Sequence, residues 1–155
     1  MIINIPNYDE IHIKNIVFDM NGTIAENGII DEENRLRILE LSKIYKVFIL
    51  TADTYGTIER YFTDTKVCVN ILKSSNGTKE KKEFIEKIGK TNTIAVGNGS
   101  NDAEMIKTAK LGICIIGSEG ASKKALLNSD IIFNSFKDVY KALMNTKRII
   151  ATLRE

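Results

Sequence analysis

The chain has 155 residues, enough for one domain with a sizeable core, and 43% hydrophobic against 27% charged residues is an ordinary globular balance. Its 22 basic and 20 acidic residues are interleaved to a formal charge of +2, without the one-sided basic field of phosphate-backbone binders, so no nucleic-acid partner is expected. No run approaches the roughly 18 apolar residues of a membrane span, and MIINIPNYDE lacks the order of a signal peptide. A cytoplasmic protein with no membrane partner is the expectation.

In chain order, IHIKNIVF (11–18) reads as a strand, with a short strand ahead of it at 1–5. Asp31 reads as the N-cap of a helix that turns Leu36, Ile38, Leu39, Leu41 and Ile44 inward. VFILT (47–51) is the second strand, followed by a helix near 54–62, and KVCVNIL (66–72) is the third. Gly77-Thr78 opens a helix that Gly89 stops. TIAVG (93–97) is the fourth strand, a helix runs from about 101 to 110, and LGICII (111–116) is the fifth strand. A helix near 119–128, a short strand DIIF (130–133) and a terminal helix from about 136 complete the chain. Cys68 and Cys114 sit inside strand-like runs and read as buried reduced thiols; with His12 the one histidine, a zinc site is not expected.

Strands alternating with helices predict an α/β, doubly wound three-layer sandwich with a mainly parallel sheet, one domain over 1–155. In such sheets the site lies beyond the carboxyl ends of the strands, where strand order reverses. After strands one, two and four stand Asp19-Met20-Asn21-Gly22-Thr23, Thr51-Ala52-Asp53 and Gly97-Asn98-Gly99-Ser100-Asn101-Asp102. Two carboxylates and clusters of hydroxyls and amides thus converge on one edge, a set suited to a phosphate and a hard, oxygen-liking cation.

VFDMNGTI, ILTAD and VGNGSNDAEM resemble the first, second and fourth motifs of the haloacid dehalogenase superfamily, in its order and each after a strand. They are closest to soluble phosphatases that resemble the P-type ATPase phosphorylation domain. The resemblance implies a third motif, a lysine near the start of the helix before strand four, where KEKKEF offers three. Lys81 precedes Phe84, Ile85 and Ile88 by three, four and seven residues, which puts it on the inward face. Lys82 is rotated away, and Lys79, ahead of the regular helix, is the second choice. Asp102 stands in the same relation to Met105, Ile106 and Ala109.

The resemblance also implies roles. Asp19 is the nucleophile that forms an aspartyl-phosphate. Mg²⁺ is the cofactor, held by Asp19, the backbone carbonyl of Asn21, Asn98 and Asp102; Lys81 adds positive charge, and Thr51, Ala52 and Asn101 bind phosphoryl oxygens. Two positions depart from the family's pattern. Asn21 stands where its phosphatases carry the general acid–base aspartate and cannot transfer a proton, a loss worth about 10²–10⁴-fold. Asn98 stands where an aspartate usually ligates the ion, so the cation is expected to bind weakly.

Local readings compete with these. DMNGT is also a hairpin-turn signal, Thr51 and Asp53 also suit helix caps, and lysines 79–90 also suit a solvated helix face. The principal expectation is a magnesium-dependent phosphatase or phosphotransferase. The alternative is a non-catalytic or regulatory phosphate-binding module, which Asn21 and Asn98 favour; a receiver-like domain fits less, since no acidic pair precedes Asp19. The short intervals between motifs leave no room for a cap domain. Capless members often oligomerise or act on large substrates, so the expected partners are a small phosphorylated substrate or a phosphorylated macromolecule, and a second copy of the chain.

Overall fold

The computed structural model describes residues 1–6, 10–52, 57–73 and 75–154. Six strands form one wholly parallel sheet: β3 (Asn15–Asp19), β4 (Lys46–Thr51), β5 (Cys68–Ile71), β6 (Thr93–Gly97), β7 (Leu111–Ile115) and β8 (Ile131–Phe133). Their spatial order is β5-β4-β3-β6-β7-β8, so chain direction across the sheet reverses at β3. This sets β4, β3 and β6 side by side with their carboxyl ends together, Phe18 opposite both Ile49 and Val96. A separate antiparallel pair, β1 (Ile2–Ile3) and β2 (Ile11–His12), lies outside this sheet.

The single strand expected over 11–18 is therefore two. Ile11 and Ile13 are buried while His12 and Lys14 are exposed, the alternation of a strand covered on one face; from Asn15 to Asp19 every residue is buried, as in a central strand covered on both. Successive residues of β3 point to opposite faces. Ile16 and Phe18 join Ile49, Ile94 and Ile113 against α1 (Glu32–Leu41), α6 (Phe136–Met144) and α7 (Lys147–Leu153). Val17 joins Leu50, Ala95 and Cys114 against α3 (Gly77–Ile88), α4 (Ala103–Thr108) and α5 (Lys123–Asn128). The two faces make the three-layer sandwich.

Asp31 caps α1, accepting from the Asn34 N–H at 2.6 Å, and the helix buries Ile38 and Leu41. Leu36 and Ile44, expected inward, are 52% and 48% exposed, because the buried face follows Ile38, Leu41 and Tyr45 and both lie off that line. The helix expected at 54–62 is α2 (Thr57–Tyr61); residues 53–56, including Asp53, lie outside the described residues. Asn76 caps α3, and Gly89, at φ +105°, ends it. The helix expected at 101–110 begins as a 3₁₀ turn at Ser100–Asp102, and the one expected near 119 starts at Lys123. Gly117 and Gly120, at φ +56° and +78°, hold the preceding stretch as a loop. The terminal helix is two, α6 and α7, broken at Asn145. Cys114 is buried as expected, while Cys68, on edge strand β5, is only half-buried.

Between β3 and β4 the chain holds a turn, a tight hairpin and α1, with no inserted cap domain. The Met20 carbonyl accepts from the N–H groups of Thr23, Ile24 and Ala25, and Gly22, at φ +76°, donates to Ala25. Glu26 and Ile29 then exchange two 3.0 Å backbone bonds around Asn27 and Gly28, both at positive φ. That is a two-residue hairpin of the Asn-Gly kind, six residues downstream of the Asn-Gly in DMNGT.

Candidate active site

Asp19 closes β3 at the reversal point, and Lys81 reaches it from the first turns of α3. Lys81 Nζ lies 2.5 Å from Asp19 Oδ1 and 2.6 Å from Asp102 Oδ1. Lys81 is 1% exposed and Asp102 is fully buried. The other Asp102 oxygen, Oδ2, accepts from the backbone N–H groups of Asn98 at 3.0 Å and Gly99 at 2.8 Å. Gly97 at the end of β6 makes room for it, since a Cβ there would stand 2.6 Å from the Asp102 side chain. Asp102 thus anchors both the lysine and the loop after β6. Lys79 is exposed with its Nζ 3.7 Å from Glu83, and Lys82 lies 4.0 Å from Glu104; neither enters the cluster.

Two carboxylates and one ammonium leave this cluster one negative charge in a buried place. Burial pushes the Asp19 pKa up from 3.8 to about 7, the Asp102 charge adds to the rise, and Lys81 opposes it. Burial alone would lower the Lys81 pKa, but the charges of Asp19 and Asp102 outweigh it and hold the ammonium protonated. Burial and the nearby Asp102 raise the Cys114 thiol to about 11, so it stays a neutral packing group.

On the other side of Asp19 stands a group of oxygens. The Thr23 hydroxyl lies 3.5 Å from Asp19 Oδ2 and 3.4 Å from Asn98 Oδ1. Both distances exceed the usual 2.5–3.0 Å of an O–H···O bond. Carboxylate, hydroxyl and amide oxygens are the donors Mg²⁺ takes, so the residues present fit a hard divalent cation. Among the described residues no group of three or more His, Cys, Asp or Glu side chains could hold a metal, so such an ion must draw on neutral oxygens as well.

Of the other expected site residues, Thr51 ends β4, 2% exposed, with its hydroxyl 3.3 Å from Met20 Sδ. Ala52 follows it, exposed at the strand end. Asn21 is exposed on the turn after Asp19, and Asn101 is exposed on the 3₁₀ turn, its Oδ1 lying over Gly99.

The loop after β7 also belongs to this edge, and sequence reasoning overlooks it. The Gly120 carbonyl accepts from Asn98 Nδ2 at 3.0 Å, the Ser122 N–H donates to the Asn98 carbonyl at 2.8 Å, and Glu119 accepts from the Asn27 N–H at 3.1 Å. The available signal is the pair of glycines in IGSEG, directly after the fifth strand at the same sheet end. A cavity of about 530 Å³ lies behind the Gly22-Thr23 turn, between the starts of α1 and α6 and against Phe136. Neither Asp19 nor Lys81 lines it, but Thr23 does and lies 3.5 Å from Asp19 Oδ2, so the cavity adjoins the charged cluster.

The profile of haloacid dehalogenase-like hydrolases matches residues 82–143. An uncharacterized protein of Methanocaldococcus jannaschii is 43% identical over 79 residues, 48% of this chain and 85% of that protein. The chain belongs to the haloacid dehalogenase superfamily. The human phospholipid-transporting ATPase ID is 44% identical over 62 residues, 40% of this chain but only 5% of the transporter, so the likeness to P-type ATPases is confined to a small part of them. The fold is also that of a solved phosphatase structure. The 3-deoxy-D-manno-octulosonate 8-phosphate phosphatase of Moraxella catarrhalis, crystallised with magnesium, phosphate and KDO, superposes at a TM-score of 0.66. It is 17% identical, with 92% of this chain and 94% of that one covered.

Proposed function

We propose that this superfamily member is a Mg²⁺-dependent phosphohydrolase or phosphotransferase that works through an aspartyl-phosphate on Asp19. The observation that carries the reading is the Lys81 ammonium held between Asp19 and Asp102 at the reversal point of the sheet. Lys81 occupies Asp19 Oδ1 and leaves Oδ2 on the oxygen-lined side as the attacking atom. Attack forms the Asp19 O–P bond and breaks the bond from phosphorus to the leaving oxygen. Lys81 offsets charge on the transferring group, Asp102 fixes Lys81 in place, and Thr51, the Ala52 N–H and Asn101 take phosphoryl oxygens. Mg²⁺, when bound by Asp19, the Asn21 carbonyl, Asn98 and, through water, Asp102, neutralises charge on the transferring group.

Asn21 holds the acid–base position without a proton to give. The leaving oxygen therefore departs unprotonated, and water attacks the aspartyl-phosphate without a base. This favours phosphates with good leaving groups and slows the second step. The substrate class is a small phosphorylated compound, as in the name of the octulosonate phosphatase, or a phosphorylated macromolecule. The amides at Asn21 and Asn98 favour a second reading, a regulatory phosphate-binding module. A panel of phosphate compounds assayed with Mg²⁺ in the native chain and in Asp19→Asn separates the two. Mg²⁺-dependent release of phosphate that is lost in Asp19→Asn supports the enzyme; binding of phosphate without turnover in either protein supports the module.

A further inference from the structure

Asn98 is surrounded by groups that distinguish the two ends of its amide. Nδ2 donates to the Gly120 carbonyl at 3.0 Å, and Oδ1 faces the Thr23 hydroxyl at 3.4 Å. Its backbone N–H donates to Asp102 Oδ2, and its backbone carbonyl accepts from Ser122. Gly22 packs directly on the side chain: a Cβ there would lie 2.2 Å from Nδ2 and 2.7 Å from Cγ. An amide has one donor end and one acceptor end, so the Gly120 carbonyl decides which way round it lies. A carboxylate has two acceptor ends, and one of them would face that carbonyl with no proton between them. Charge counting alone treats Asn98 as a weakened aspartate that Asn98→Asp would repair. These contacts point the other way.

We propose that the Gly120 carbonyl is a positioning group for the cation, one that requires an amide at Asn98 and turns its Oδ1 towards Asp19 and Thr23. The proposal rests on the cation-dependent reading of the site. Gly120 suits the role, because its φ of +78° is a conformation that favours glycine and sets where the carbonyl points. A Cβ added there would meet nothing within 4 Å, so Gly120→Ala disturbs the backbone without a clash.

The experiment compares the native chain, Asn98→Asp, Gly120→Ala and the double variant by thermal unfolding without divalent cation, and by calorimetric titration with Mg²⁺. Asn98→Asp should unfold at lower temperature than the native chain with no cation present. It should also fail to gain the affinity, on the order of tenfold or more, that an added carboxylate otherwise brings. In the Gly120→Ala background, where the carbonyl no longer stands opposite, the thermal penalty of Asn98→Asp should shrink. Native-like unfolding of Asn98→Asp together with tighter Mg²⁺ binding would overturn the proposal. Should the variants fail to fold, side-chain amide hydrogen exchange in the native chain decides. Asn98 should exchange far more slowly than the exposed Asn21, and equal rates would overturn the proposal. The cation-free arms do not involve phosphoryl transfer, so a protein that turns over no phosphate would sink the proposed activity and leave these results intact.

Discussion

Lys81 and Asp102 are paired at 2.6 Å with both side chains out of solvent, and the same ammonium lies 2.5 Å from Asp19. Removing the lysine leaves two buried carboxylates without a counter-charge. Lys81→Met should therefore destabilise the fold by about 3–5 kcal/mol, the cost of breaking a buried pair from one side. Adding Asp19→Asn to Lys81→Met should recover part of that loss by removing one of the stranded charges. Urea unfolding of the single and double variants measures both effects, and a double variant less stable than the single one would contradict the geometry.

Asp19 should itself cost stability at neutral pH when no cation is bound. Its folded pKa of about 7 lies above the 3.8 of an ordinary aspartate, so the folded state holds this proton more tightly than the unfolded chain. Its favourable contribution is whole below about pH 4 and is lost as pH rises through 7, up to about 4 kcal/mol for three pKa units. Asp19→Asn should remove that dependence and melt higher than the native chain at pH 7.5 without Mg²⁺. The check is a pair of stability–pH profiles, which should diverge between pH 4 and 7; parallel profiles would show that Asp19 ionises freely.

The leaving group should govern turnover. Asn21 cannot protonate a departing alkoxide, whereas an aryl oxide leaves readily without that proton. Asn21→Asp should therefore speed hydrolysis of a sugar phosphate more than that of p-nitrophenyl phosphate, by up to about 10²–10⁴-fold. Turnover of the two substrates in both proteins measures this, and an equal gain on both would remove Asn21 from the acid–base position.

Much of this edge is legible in the sequence because it hangs on regular elements. TIAVG is bounded by polar residues and forms β6 over those five residues. The i, i+3, i+4, i+7 relation of Lys81 to Phe84, Ile85 and Ile88 marks it as the inward lysine of KEKKEF, and its Nζ lies within the cluster. What is not legible depends on backbone placement. The role of Gly120 lies in where its carbonyl points at φ +78°, which leaves no side-chain signature. Leu36 and Ile44 mislead because each is apolar yet lies off the buried line of Ile38, Leu41 and Tyr45. The break between β2 and β3 hides in an Ile- and Val-rich run with no glycine or proline to mark it, and shows only in the change from alternating to continuous burial.

The phosphoryl group should pass through Asp19, and loss of the base at Asn21 makes its accumulation the most direct test. The native chain is mixed with p-nitrophenyl phosphate and Mg²⁺, quenched in acid within the first turnover, and mapped by peptide mass spectrometry. One phosphoryl group is expected on the peptide that contains Asp19, absent in Asp19→Asn and shorter-lived in Asn21→Asp. Phosphate release with no phosphoryl group on that peptide, or release undiminished in Asp19→Asn, would contradict it.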